Sequence, residues 1–124
     1  MNIETIKRYL AIADPFLPVY FDFCNCAPTT VASWRGSYSE PAIGWCVTGR
    51  NGNEQAPTVK ELLDELTLAT HGKIYVGWKG GNYTYTDKDT LHVDNQGEYT
   101  ETEIVSVEVG SSRVTLHTRQ QESE

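Results

Sequence analysis

At 124 residues the chain can bury one modest hydrophobic core and is too short for two. An apolar content of 39% excludes a disordered chain, and the net charge of −7 sets it against free nucleic acid, whose phosphates it would repel. No apolar run approaches the roughly 20 residues that span a bilayer. No basic region followed by an apolar run opens the chain, and three cysteines, Cys24, Cys26 and Cys46, cannot all pair with one another. These features read as a soluble protein of a reducing cytoplasm, with no membrane partner.

The opening stretch, "NIETIKRYLAIAD", repeats Ile3, Ile6, Leu10 and Ala13 at helical spacing. Asp14-Pro15 closes it, because proline disfavours helix in the residue before it. "LPVYFDFC" alternates Val19, Phe21 and Phe23 against Tyr20, Asp22 and Cys24, which is the period of a strand. Residues 25–40, with Pro28, Gly36 and many hydroxyls, read as a long loop or a pair of turns before "AIGWCVT" resumes a strand. After the turn-rich "GRNGNEQAP", Val59, Leu62, Leu63 and Leu66 define a second helix, with Thr58 and Glu61 spaced as a capping box and Gly72 as terminator. Short strands "KIYVGW", "NYTYT" and "TLHV" follow, then "EIVSVEV" and "RVTLHT", joined at Gly110-Ser111-Ser112. This order predicts one α+β domain over residues 1–119: an antiparallel β-sheet of about five to six strands with two helices packed on one face. Residues 120–124 read as a frayed tail.

Two tracts share a vocabulary suited to a ligand. "SWRGSY" supplies Ser33, Trp34, Arg35, Ser37 and Tyr38; "WKGGNYTY" supplies Lys79, Tyr83 and Tyr85, the two tyrosines facing one way on a strand. A phosphate-bearing ligand wants a planar cation, hydroxyls, small residues for close approach and an aromatic face, and these tracts hold all four. The plainer reading makes Trp34 and Trp78 core or rim aromatics, pairs Arg35 with a carboxylate such as Glu40, and leaves the glycines to make turns. No Gly-rich phosphate motif is present.

Catalytic and metal readings are thinner. Cys24 and Cys26 stand two apart rather than at zinc-ligand spacing, so no metal or other cofactor is expected. A cysteine activated by His71, His92 or His117 has no spacing in its favour. His71 fits the last turn of the second helix, and His92 and His117 alternate outward on short strands. Glu101-Thr102-Glu103 forms an ExE pattern, with Asp22 and Asp94 as further acid or base candidates, but it reads as a solvated strand face. No catalytic residue is assigned.

Charge is uneven. Residues 87–108 hold seven acids, Asp87, Asp89, Asp94, Glu98, Glu101, Glu103 and Glu108, against Lys88 alone. Six of them, Asp87, Asp89, Asp94, Glu98, Glu101 and Glu103, form a candidate face for a basic partner. The exposed strand edges of so small a domain also invite cover by a second copy.

With "PVYFDFC", "PTTVASWRGSYSEPAIGW", "TVKELLDELTLATHGK" and "VGWKGGNYTYTDKDTLHV" in view, the chain resembles a family of short proteins encoded by tailed bacteriophages. The likeness runs from about Pro18 to Val107 and centres on Ser33–Tyr38 and Lys79-Gly80-Gly81. No activity or ligand comes with it. It implies a setting, the host bacterial cytoplasm, where small accessory phage proteins often bind host proteins or immune signals. The expectation is a non-enzymatic protein that neutralises a host defence component by binding a host defence protein. The alternatives are a sponge for a phosphorylated nucleotide signal, acting through Arg35 and Lys79, a small enzyme acting on a nucleotide or carbohydrate, and a virion or assembly factor.

Overall fold

The computed structural model describes residues 1–23, 26–34, 37–48, 55–77, 80–94 and 101–121, with the backbone alone at 37–39, 101, 120 and 121. In chain order the elements are α1 (Ile3–Ala11), β1 (Val19–Phe21), β2 (Cys26–Trp34), β3 (Ser37–Val47), α2 (Val59–Ala69), β4 (Tyr75–Val76), β5 (Asn82–Tyr83), β6 (His92–Val93), β7 (Glu101–Val109) and β8 (Val114–Gln121). Six strands form one sheet in the order β1-β8-β7-β6-β3-β2, and β4-β5 form a separate hairpin. The α+β class, the six-stranded sheet and the two helices agree with the sequence.

The differences lie in the strands. The sheet is mixed rather than antiparallel, because β1 runs parallel to β8 and β3 runs parallel to β6. Residues 26–34, expected as loop, are strand β2, and β3 begins at Ser37. Proline is tolerated at a sheet edge, where no partner needs its missing N–H, and β2 carrying Pro28 is an edge strand. "NYTYT" contributes only Asn82–Tyr83 to a strand, so Tyr85 lies beyond it. Strand β8 continues to Gln121, two residues into the expected tail. The link "GRNGNEQAP" falls largely on residues 49–54, outside the described set.

Both helices start on side-chain caps. Asn2 accepts from the Thr5 amide at 2.9 Å, and Thr58 and Glu61 form the reciprocal capping box that their spacing predicts. Gly72, at φ +81°, stands just past α2 in a conformation that glycine adopts without strain. Helical periodicity puts Ile3, Ile6 and Leu10 of α1 and Leu62 and Leu66 of α2 on buried faces. They join Val31, Ile43, Val93, Ile104 and Leu116 of the sheet in one core. Val31 pairs with Ile43 and Ile43 with Val93, so these side chains share one face of the sheet, which meets the buried stripes of the helices in the core.

The connection between β1 and β2 fixes the sheet's shape. These are its two outer strands, yet only residues 22–25 link them. A flat six-stranded sheet would be about 24 Å wide, whereas the chain from Phe21 to Cys26 reaches roughly 18 Å when fully extended. The sheet must therefore curl, and a hydrogen bond from the Cys26 amide to the Phe23 carbonyl at 3.0 Å tightens the link further. Phe23 bridges the gap, stacking on Phe21 at 5.1 Å and meeting Trp45 edge-on at 5.6 Å.

Candidate functional site

The first tract splits across the sheet. Ser33 follows the alternation of Val31 toward the core, whereas Trp34 follows Ala32 to the opposite face. Ser33 is buried and hydrogen-bonds Tyr85, which is itself buried. The two tracts therefore do meet, through a pair of hydroxyls inside the protein. Tyr85 packs its ring 5.0 Å from that of Tyr75, and Tyr75 pairs in register with the half-buried Tyr83. Gly80 and Gly81, both at positive φ, turn the β4-β5 hairpin, and Gly81 packs against the Tyr83 ring. Arg35 and Lys79 lie outside the described residues, as do the side chains of Ser37 and Tyr38.

Around this junction sits a polar cluster that sequence reasoning missed. Strand β2 has an open edge, and the outward Val31 amide donates to Glu65 Oε2 of α2 at 2.9 Å. Tyr75 Oη is buried with no hydrogen-bond partner among the described residues. Burial, then the nearby Glu65 carboxylate and Tyr85, push its phenol up to about 12. Burial also raises the Tyr85 phenol, while the Ser33 hydrogen bond pulls it back.

The other face of the sheet carries a row assembled from five strands. Ala32 pairs with Ala42, Ala42 with His92, His92 with Glu103, and Glu103 with Arg119. Paired residues present their side chains on the same side, so this row crosses the face away from the helices. The Trp34 indole crosses to stack on His92, with ring centroids 3.9 Å apart and planes at 7°. His92 is thus 3% exposed, not outward as its alternation suggested; the strand places it on the outer face, and Trp34 covers it there. Its Nε2 lies 3.5 Å from Glu40 Oε1, and Glu103 accepts from Arg119 at 2.8 Å. Further along, His117 Nε2 meets Glu108 at 2.8 Å, and its Nδ1 lies 3.7 Å from Asp22.

The acidic segment is divided between different places. Carbonyls of Asp87 and Asp89 accept the Glu4 and Ile3 amides at the start of α1, donors that no helical turn can satisfy. Their carboxylates stay in the same region. Asp87 takes Lys7 Nζ at 2.8 Å, a hydrogen bond that lowers its carboxyl below the usual value, and Asp89 accepts the Thr86 amide. The Asp94 carbonyl receives the Trp45 indole N–H at 2.9 Å. Glu103 lies on the outer sheet face, so it does not share a surface with the two aspartates. Glu98 and the Glu101 side chain lie outside the described residues.

Cys26 is buried and Cys46 half-buried; Cys24 is outside the described set, and the described residues hold no cluster of three metal-ligating side chains. Among them no helix is long and apolar enough to cross a membrane. No protein-family model, curated protein or solved structure matches the chain.

Proposed function

We propose that the protein is a non-enzymatic accessory protein of phage origin that neutralises a host defence component by binding a host protein. The observation that carries this reading is the outer face of the sheet. On this face Ala42 and His92 are buried, and the Trp34 indole, partly exposed, is fixed over them by the His92 stack. Aromatic anchors on rigid elements are a recurrent core of protein interfaces. The resemblance to short phage proteins supplies the setting.

Affinity capture from a host lysate tests the reading. A stoichiometric protein partner, with phage growth on the defended host lost when that contact is removed, is the expected result. Recovery of an intact small molecule and no protein would overturn it.

The meeting of the two tracts at Ser33 and Tyr85 favours a second reading, capture of a phosphorylated nucleotide signal. Arg35→Ala combined with Lys79→Ala should then abolish protection. Mass spectrometry of the ligand released on denaturation separates the outcomes: intact nucleotide supports the sponge, and a converted product supports an enzyme.

A further inference from the structure

The outer face also has a charge. Asp22 follows Phe21, which pairs with Leu116, so it lies beside His117 on this face. Glu40 precedes Ala42 by two residues and reaches His92. Glu103 and Glu108 reach it from β7. Against these four carboxylates stand the guanidiniums of Arg119 and Arg113. Sequence reading could not assemble this set, because Asp22 and Glu40 lie far outside the acidic segment and join it only through strand order. Among the described residues the face therefore carries more carboxylates than guanidiniums, around an aromatic centre.

We propose that this face receives a basic, arginine-bearing segment of the partner protein. The proposal rests on the reading of the chain as a protein-binding protein and names the chemistry of what it binds. A guanidinium is the cation suited to such a place, since its plane stacks on an indole while its N–H fork reaches a carboxylate. Trp34 and Glu40 stand within two strands of each other, and both approach His92. The protein already uses the same contact within its own sheet, where the Arg113 guanidinium lies 4.6 Å over the Tyr20 ring. The stack on His92 holds the indole in place before a partner arrives, so little side-chain freedom is lost on binding.

The test uses the full chain with nine-residue oligoarginine and oligolysine peptides as probes, measured by calorimetry and by amide NMR shifts. Oligoarginine should bind more tightly than oligolysine, with shifts concentrated on β2, β3, β7 and β8. Glu40→Gln combined with Glu108→Gln should weaken it by about threefold to tenfold at low salt. Trp34→Ala should remove the preference for arginine; the two Glu→Gln changes keep the test open if that variant fails to fold. Equal affinity for the two peptides, or shifts centred on Ile12 and Phe16 beside α1, would overturn the proposal. A host partner captured equally well by the Glu40→Gln/Glu108→Gln protein would also overturn it while leaving the protein-binding reading intact. No host partner, with oligoarginine still bound on this face, would overturn the protein-binding reading and the proposal with it, leaving only a preference for arginine.

Discussion

Tyr75 and Tyr85 stack on each other, yet their hydroxyls have opposite standing. Tyr85 hydrogen-bonds Ser33, whereas Tyr75 Oη is buried without a partner among the described residues. An unsatisfied buried hydroxyl costs about 1 kcal/mol or more, so Tyr75→Phe should raise the urea midpoint at unchanged slope. Tyr85→Phe strips Ser33 of a hydrogen bond inside the protein and should lower it. The Tyr75 phenol, raised to about 12 in the folded chain from 10.0, stays protonated where the unfolded chain has begun to ionise. Its contribution is complete below about pH 10 and is lost as pH rises toward 12. Alkaline unfolding of the Tyr75→Phe protein should therefore be shallower through that window. Asp87 works in the other direction. The Lys7 hydrogen bond lowers its carboxyl, so the pair stabilises above the ordinary carboxylate range and fades as the solution is acidified through it. His92 shows the limit of reading single residues. Alternation along β6 assigns its side of the sheet correctly, but its cover comes from Trp34 on β2, and no local pattern announces that contact.

The elements that were legible in the sequence are those whose signals are local. For α2, the start, buried stripe and stop all lie within the helix and its flanks, and each appears where the spacing put it. Thr58→Ala should cost about 1 kcal/mol by thermal or chemical denaturation. Strand β2 was hidden because its proline and hydroxyls are turn-formers by habit, while its place at the sheet edge, which accommodates Pro28, is decided by β3. The two parallel pairings were hidden for the same reason, since partner choice over long separations leaves no periodic trace. Of the candidate site, the two tracts were legible as shared vocabulary, but their contact through the buried Ser33 and Tyr85 and the separation of Ser33 from Trp34 onto opposite faces depend on β2 being a strand. Glu65 has a task that an edge strand makes necessary. It occupies an outward amide of β2, and an open edge is a template for another chain. Glu65→Ala should lower stability and promote self-association in light scattering at high concentration. Glu65→Gln keeps an acceptor oxygen and should largely restore the monomer-to-aggregate balance of the parent.

At the scale of the molecule, the buried stripes of both helices meet one side of a curled sheet, and the other side carries Trp34 with Glu40, Glu103 and Glu108. Exposed apolar side chains such as Ile12 at 78% and Phe16 at 79% lie at and just after the end of α1, which makes them the natural comparison surface in any partner mapping. The curl has a consequence in time as well as in space. Strand β1 leaves the ribosome some ninety residues before its strand partner, β8 (Val19 pairs with Val114), and β8 must also complete the edge of β7. Contacts so distant along the chain slow folding, because the loop must close before they reward it. The sheet cannot close until β8 has been made, so nascent chains halted after Gly110 should remain as sensitive to protease as unfolded ones. Release of β8 should convert them in a single step to the resistant form.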